Sequence, residues 1–315
     1  MSTTLSLQDI KDAATRIQGH VVHTPVLERQ HKDATLLIKP EGLQPIGAFK
    51  LRGAINKMAT LPSDCPGVVA HSSGNHAQAV ARAAKLLGIP AIIVMPNDAP
   101  PLKRQRTEAD GAEVIVVGPD SDERRDLARA IAKERGLVAI EPYDDLAIAA
   151  GQGTLALELI ESAGPIDRLY APVSGGGLMT GCAVATRALC PNAEIIAVEP
   201  RTKDALLRSL AKGERTAVPP PSTIADGLRV RVPGELVWPI LREHVDRVVL
   251  VDDEELETAM AWALGELRIV LEPSGAAALA AALREGHGRC GIVCTGGNVD
   301  PGLLARIAAR VASES

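Results

Sequence analysis

Aromatic side chains are nearly absent from this sequence, which contains one Phe, two Tyr and two Trp among 315 residues. Proteins that read nucleic acids by stacking bases on aromatic rings need more rings than these five, so that class is excluded. A block of basic residues is missing as well, and 34 Lys and Arg against 39 Asp and Glu give a net charge of −5. The composition therefore also argues against binding to a nucleic-acid backbone or to an anionic membrane.

Long apolar runs and paired cysteines are missing too. No hydrophobic stretch approaches the roughly 20 residues that span a bilayer, and the first residues show no basic segment followed by an apolar one, as a secretory signal would. The five cysteines are an odd number without Cys-x-x-Cys spacing, which argues against a zinc site and against a disulfide framework. We therefore expect a cytoplasmic, globular protein with reduced, buried thiols.

What the sequence does contain is a repeated alternation of short β-branched runs and helical segments. Residues 68–71 are predicted as a strand, and residues 75–87 as an Ala-rich helix that Gly88 ends. Further strands are predicted at 92–95, 114–117, 137–140, 169–173, 195–198, 248–251 and 291–294, and further helices at 102–109, 122–135, 155–162, 178–189, 254–267, 276–283 and from 301. This pattern predicts an α/β protein with parallel sheets, in two lobes with a ligand cleft at the carboxyl ends of the strands.

The strongest candidate for a binding loop is Ser174-Gly175-Gly176-Gly177-Leu178, between a predicted strand and a predicted helix. Three glycines in a row expose backbone N–H groups, and the helix adds a positive dipole end, so a phosphate is favoured there. An ordinary tight turn is the alternative, although such a turn rarely needs more than one glycine. A dinucleotide loop of an NAD-dependent oxidoreductase is a distant alternative: Glu199 suits a ribose-binding acid, but Thr180 replaces the third glycine.

A second loop after a predicted strand is His71-Ser72-Ser73-Gly74-Asn75-His76. Its hydroxyl groups and the amides at the start of the following helix could hold a substrate carboxylate. The alternative is that Ser and Asn only cap the helix.

Lys50 lies in the apolar run Ala48-Phe49-Lys50-Leu51. Desolvation in such a setting lowers the pKa of the ammonium group, and the neutral amine is then a nucleophile. A solvated lysine on a helix surface is the alternative. An activated lysine together with a phosphate cradle is what a pyridoxal phosphate (PLP) site requires, because the cofactor has an aldehyde to condense and a phosphate to anchor.

At these residues the sequence resembles the serine/threonine dehydratase and serine racemase group of fold-type II PLP enzymes, which are related to the tryptophan synthase β-subunit. The resemblance implies two three-layer α/β/α domains with parallel sheets. Residues 1–66 and 144–315 would form a large PLP-binding domain, residues 67–143 a small substrate domain, and the protein a homodimer. The matching motifs are Gly47–Ala54, Ser72–His76, Gly151–Thr154, Ser174–Leu178, Thr223–Gly227, Glu272–Gly275 and Thr295–Asp300.

The resemblance also implies a role for each matching residue. Lys50 would bind the cofactor aldehyde and later move the Cα proton of the substrate, while Phe49 would pack against the cofactor ring. Asn75 would bond the ring hydroxyl, Thr295 would face the pyridine nitrogen, and Glu272 would lie near the ring. The phosphate would be held by Ser174, Gly175, Gly176, Gly177 and Leu178, and the substrate carboxylate by Ser72, Ser73, Gly74, Asn75 and His76.

The reaction that the resemblance implies is β-elimination of water from L-threonine, L-serine or a related 3-hydroxy amino acid, giving a 2-oxo acid and ammonia. A hydroxyl group at Thr295 would leave the ring nitrogen largely unprotonated, and the weaker electron sink favours prompt loss of the β-hydroxyl. Serine racemase activity stays open, because Ser73 lies where racemases place a second base. A hydroxyaspartate dehydratase or racemase also stays open, since Glu141 stands where relatives often carry His.

A divalent-cation site is the point on which the residues depart most from the family pattern. In relatives with such a site, the ligands are the residue that matches Glu199 and an acidic residue shortly after it. Here the second ligand position falls on Ala205, with Asp204 beside it. We therefore expect no bound metal ion, and name Glu199 as its possible ligand if there is one.

Overall fold

The computed structural model describes residues 4–72, 74–99 and 101–314, in which strands and helices alternate. The helices are α1 (Leu7–Ile17), α2 (Lys50–Ala59), α3 (Asn75–Leu87), α4 (Pro101–Ala109), α5 (Ser121–Arg135), α6 (Leu146–Ala163), α7 (Gly177–Leu189), α8 (Ala205–Lys212), α9 (Trp238–His244), α10 (Asp253–Trp262), α11 (Pro273–Glu285) and α12 (Pro301–Glu314). The strands are β1 (Leu27–His31), β2 (Ala34–Pro40), β3 (Val68–His71), β4 (Ala91–Pro96), β5 (Glu113–Val117), β6 (Val138–Ala139), β7 (Arg168–Pro172), β8 (Glu194–Pro200), β9 (Arg247–Val251) and β10 (Gly288–Cys294).

These strands form two sheets. The larger has the order β1-β2-β10-β7-β8-β9, and the smaller has the order β5-β4-β3-β6. Neighbouring strands run parallel, except that β1 pairs antiparallel with β2 at an edge of the larger sheet. The predicted α/β class with parallel sheets is therefore confirmed, and the antiparallel edge strand is a feature that the sequence did not predict.

Helices cover both faces of each sheet, because successive side chains of a strand point to opposite faces. In β7, Leu169 packs in a core with α1, α6 and α7, whereas Tyr170 packs in the opposite core with α10, α11 and α12. In β3, Val68 packs with α2 and α3, and Val69 packs with α5. Each sheet is thus the middle of three layers, and the cores consist mainly of Ala, Val, Leu and Ile.

Helix α6 is longer than the helix predicted over 155–162, since it already begins at Leu146. Asp145 caps it, and its carboxylate accepts hydrogen bonds from two N–H groups of the first turn. Glycine inside the helix hid this start, because glycine disfavours a helix by about 1 kcal/mol relative to alanine. The glycine is there for packing: a Cβ atom on Gly153 would lie 2.7 Å from the carbonyl oxygen of Gly181 in α7.

Two further differences concern the end of helix α10 and the elements near the N-terminus. The helix predicted over 254–267 stops at Trp262, and Ala263–Leu267 forms one π-helical turn. The sequence pattern does not predict the elements before residue 68, which are α1, β1, β2 and α2. The domain boundaries at residues 66 and 143 stay a prediction. Among the described helices, none is both long and apolar enough to cross a membrane.

We expect Gly181→Ala to destabilise the protein. Its Cβ would lie 2.1 Å from the Ala149 carbonyl oxygen and 2.6 Å from the Gly153 nitrogen, so α6 and α7 must separate. Such overpacking costs about 1–3 kcal/mol, and the midpoint of thermal unfolding should fall by several degrees. Gly265→Ala is the matched control, because its Cβ would meet Val311 Cγ1 at an ordinary 3.5 Å. Equal midpoints for the two variants would contradict this account of helix packing.

Candidate active site

A cavity of about 220 Å³ opens at the carboxyl ends of β3, β7 and β10. Parallel strands bring the loops that follow them to one place, which is where ligands bind in α/β folds. The predicted site residues that line it are Phe49, Lys50, Ser72, Gly74, Asn75, His76, Ser174, Gly175, Gly176, Gly177, Leu178, Glu272 and Thr295. Ser73, the remaining residue of the predicted substrate loop, lies outside the described residues.

A larger cavity of about 580 Å³ lies between α3, α4 and the segments 40–47 and 268–271. None of the predicted site residues lines it. The smaller cavity combines a lysine amine with the glycine loop, and we therefore take the smaller one as the candidate active site.

Lys50 is the first residue of α2, and its side chain lines the cavity. Its Nζ donates a hydrogen bond of 2.7 Å to the carbonyl oxygen of Pro142 and lies 5.2 Å from the centre of the Phe49 ring. Burial lowers the pKa of Lys50 to about 8, because protein atoms replace the water that would stabilise the ammonium. Roughly a tenth of the amine is then uncharged at pH 7, and this is the form that attacks an aldehyde.

The loop Ser174–Leu178 is packed too tightly for side chains at its three glycines. A Cβ atom on Gly175 would lie 2.3 Å from the ring of Tyr143, and one on Gly177 would lie 2.5 Å from the Tyr143 carbonyl oxygen. Gly176 has a φ of +110°, which L side chains rarely adopt. The bare backbone at the N-terminus of α7 forms a cradle for an anion. Together with the buried amine, this cradle fits pyridoxal phosphate.

Asn75 begins α3 and joins this helix to the segments that carry Glu272 and Asn298. Its Nδ2 donates to Glu272 Oε1 at 2.7 Å, and its Oδ1 accepts from Asn298 Nδ2 at 2.9 Å. Burial, reinforced by the negative charge of Asp226, raises the pKa of Glu272 to about 7. Glu272 therefore gains or loses a proton near neutral pH in one wall of the cavity.

His76 is buried in the first turn of α3, and it is uncharged. Its Nε2 lies 3.0 Å from the carbonyl oxygen of Ile140, which can only accept, so this nitrogen carries the proton. Burial and the nearby Lys50 ammonium lower the pKa of His76 to about 3. The Ser72 hydroxyl accepts from the N–H of Gly74 at 3.1 Å. A substrate carboxylate here would rely on first-turn N–H groups of α3 and not on a histidine charge.

Thr295 follows β10 and connects this strand to the residues before α2. Its carbonyl oxygen accepts from the N–H of Phe49 at 3.0 Å, and its hydroxyl donates to the Ser274 carbonyl oxygen at 3.4 Å. The side chain is buried in the cavity wall. The hydroxyl is thus held on the larger sheet beside the segment that carries Lys50.

Sequence reasoning missed Tyr143, Lys103 and the role of Asp226 in this wall. Tyr143 supports the glycine loop, and Lys103 Nζ lies 3.4 Å from Asp226 Oδ2, which connects α4 to the turn at 226–228. Asp226 belongs to a motif of the family resemblance, whereas no pattern marks the other two residues. Glu141 is not among the lining residues, and it pairs with Arg129 at 3.1 Å.

Glu199 does not line the cavity, and its carboxylate is engaged by donors of the protein itself. Lys203 Nζ lies 2.5 Å from Oε1, and the N–H groups of Leu206 and Leu207 donate to the two oxygens at 3.0 Å. Within the described part of the chain, no group of three or more His, Cys, Asp or Glu side chains could hold a metal ion. The residues around Glu199 therefore do not fit a divalent cation.

Comparison with known proteins agrees with the cofactor that this geometry fits. A serine racemase from Oryza sativa subsp. indica is 41% identical over 313 residues, which cover 95% of this chain and 92% of the racemase. An L-threo-3-hydroxyaspartate ammonia-lyase from Saccharomyces cerevisiae is 41% identical over 302 residues, or 93% of each chain. The crystal structure of a threonine deaminase from T.th. has a TM-score of 0.89 and 42% identity, and the match covers 94% of this chain and 99% of that one. The family described as pyridoxal-phosphate dependent enzyme matches residues 17–296, and this chain belongs to it, with the fold-type II architecture.

Proposed function

We propose that this protein removes water from L-threonine, L-serine or a related 3-hydroxy amino acid and yields a 2-oxo acid and ammonia. The observation that carries the proposal is the buried Lys50 amine, which faces the same cavity as the glycine loop and the Thr295 hydroxyl. Relatives named as ammonia-lyases for L-threo-3-hydroxyaspartate and L-threonine support a lyase. The acidic substrate of the first keeps hydroxyaspartate among the candidates.

The cavity residues divide the work of holding cofactor and substrate. PLP, when bound, would supply an aldehyde that condenses with the substrate amino group and a ring that draws electrons from Cα. Backbone N–H groups of residues 174–178 would hold its phosphate, Asn75 would bond its ring hydroxyl, and Phe49 would pack on its ring. Thr295 would face the ring nitrogen, and Glu272 would lie close to the ring. The N–H groups and hydroxyls of residues 72–76 would hold the substrate carboxylate.

Lys50 would carry both proton transfers of the elimination. An amine with a pKa of about 8 is a base matched to neutral pH, so Nζ can take the proton from Cα. The resulting ammonium can then give a proton to the β-hydroxyl, which leaves as water. The enamine that is released takes up water and loses ammonia. The Pro142 carbonyl, which already accepts a hydrogen bond from Nζ, would keep Nζ in place between the two transfers.

Racemisation is the second candidate, and the similarity to a serine racemase favours it. Inverting Cα requires proton-moving groups on both of its faces. Lys50 would serve one face and Ser73 the other. Elimination needs no group on the second face, and we therefore propose it as the main reaction.

We also propose that the protein is a homodimer and acts in the cytoplasm, with residues 67–143 as its small substrate domain. The family resemblance supports the homodimer and the domain, and the free cysteines, four of the five buried, support a reducing compartment. Sedimentation velocity of the full chain with its cofactor tests whether the protein is a homodimer.

We expect the rate at which the cofactor-free chain takes up PLP to rise with pH and to level off above about pH 8. The neutral Lys50 amine is the attacking form, and its lowered pKa of about 8 makes half of it neutral at that pH. Well below this pKa, each pH unit should slow uptake about tenfold. The shift of the cofactor's absorption band in a stopped-flow instrument gives the rate.

The control for this titration is Lys50→Ala, which should fold normally by circular dichroism and show no band shift. A rate that keeps rising to the ordinary lysine pKa of 10.5 would contradict the lowering of the Lys50 pKa by burial.

We expect L-serine and L-threonine to yield pyruvate and 2-oxobutanoate faster than the corresponding D-amino acids. The panel of substrates also includes L-threo-3-hydroxyaspartate, and the reactions are run in deuterated water. A coupled 2-oxo acid assay measures elimination, and chiral chromatography of the products measures racemisation. Lys50→Ala should lower both rates by about 10²–10⁴-fold, since it removes the group that moves the proton.

Ser73→Ala separates the two candidate functions in the same assay. It should reduce formation of D-amino acid and leave formation of 2-oxo acid within a few-fold. If D-serine is instead the main product from L-serine, elimination is not the main reaction.

A further inference from the structure

The turn between β8 and α8 contains a buried ion pair that the proposed reaction does not use. The side chains of Glu199 and Lys203 are both fully buried, and Oε1 and Nζ lie 2.5 Å apart. The same Nζ lies 3.2 Å from the carbonyl oxygen of Ser174, the first residue of the glycine loop. One ammonium group therefore joins a carboxylate at the end of β8 to the backbone of the phosphate cradle.

The Glu199 carboxylate is also the cap of helix α8. It accepts hydrogen bonds from the N–H groups of Leu206 and Leu207, in the first turn of that helix. Asp204, which precedes the helix, makes no capping hydrogen bond and pairs with Arg208 at 2.8 Å instead. Both oxygens of Glu199 are thus satisfied by the chain, and the ammonium balances its buried charge.

We propose that the Lys203 ammonium is a built-in cation, which takes the place that a divalent metal ion would otherwise occupy at Glu199. A carboxylate and a backbone carbonyl are ligand types that Mg²⁺ and Ca²⁺ bind, and here one ammonium donates to both. The family resemblance places the second acidic ligand at Ala205, which has no carboxylate, so a metal ion would meet too little negative charge. The phosphate cradle of this chain therefore needs no metal.

Lys203 acts on the cofactor through the backbone of Ser174, and so it is a positioning residue. The Ser174 hydroxyl accepts from the N–H of Val230 at 3.1 Å, so the loop is held from its side chain as well as from its carbonyl oxygen. Without the ammonium, Glu199 becomes an unpaired buried charge, and one of these two attachments is lost. The inference rests on the bound cofactor of the family and not on which reaction the enzyme catalyses.

The first test uses the unmodified holoenzyme. Its thermal midpoint and its rate of cofactor release on dilution are measured after treatment with EDTA and again after addition of Mg²⁺, Ca²⁺ or Mn²⁺. We expect both quantities to be the same in all conditions. Faster cofactor release after chelation, reversed by any one of these ions, would overturn the proposal whatever the variants do.

The second test removes the cation. Lys203→Met should release the cofactor about tenfold faster, a change of about 1.4 kcal/mol, and should unfold at a lower temperature. Lys203→Arg keeps a positive charge at this place and should retain the slow release. Release from Lys203→Met at the unmodified rate would show that the ammonium does not hold the cradle. If Lys203→Met does not fold, Lys203→Arg and the first test still decide.

The third test exchanges the ammonium for a metal site. The double variant Lys203→Ala/Ala205→Asp removes the cation and adds a second carboxylate, and millimolar Mg²⁺ or Ca²⁺ should raise its thermal midpoint and slow its cofactor release. The same values with and without metal would contradict the proposal. Lys39→Met is the matched control: Lys39 is equally buried and lies 2.6 Å from Glu158, but it makes no contact with the cradle. It should lose thermal stability without any response to metal.

Discussion

The position of Lys50 depends on a network of two cations and two carboxylates that holds the first turn of α2. The Arg52 guanidinium donates to both oxygens of Glu41 and to both oxygens of Glu158. Lys39 adds an ion pair of 2.6 Å to Glu158, so the buried charges balance. Removing any partner leaves an uncompensated charge in the interior. Since Arg52 follows Lys50 by two residues on the same helix, this network also fixes where the Lys50 side chain begins.

The half-buried Lys50 differs from the fully buried Lys39 and Lys203 in the group that its ammonium contacts. Burial lowers the pKa of Lys39 and of Lys203 as well, but each lies within 2.6 Å of a glutamate oxygen, whose charge opposes the lowering. The Lys50 ammonium donates to a backbone carbonyl, which carries no net charge, so burial lowers its pKa to about 8 without an opposing carboxylate. A neighbouring carboxylate thus favours the charged form of a lysine, whereas a neighbouring carbonyl leaves the effect of burial on the pKa of Lys50 unopposed.

The helix ends that the sequence predicts correctly are those marked by residues at the helix end itself. Helix α3 ends at Gly88 with a φ of +68°, as predicted, because a C-cap is signalled by its own residues. The start of α7 at the glycine loop was predictable for the same reason. Tyr143 and Lys103 reach the cavity only because distant segments fold together, and their neighbours in sequence carry no sign of it. Lys203 follows Glu199 by four residues, but their pairing depends on the turn after β8, which residue types alone did not predict.

Individual side chains, and not the fold, decide between elimination and racemisation. A serine racemase and an L-threo-3-hydroxyaspartate ammonia-lyase are each 41% identical to this chain, so overall similarity does not distinguish the two reactions. What distinguishes the reactions is how long negative charge persists at Cα and whether a second group can return the proton. We infer that Thr295 governs the first through its hydroxyl, and that Ser73 governs the second. Elimination needs a proton-moving group on one face of Cα only, so it requires fewer correctly placed groups than racemisation does.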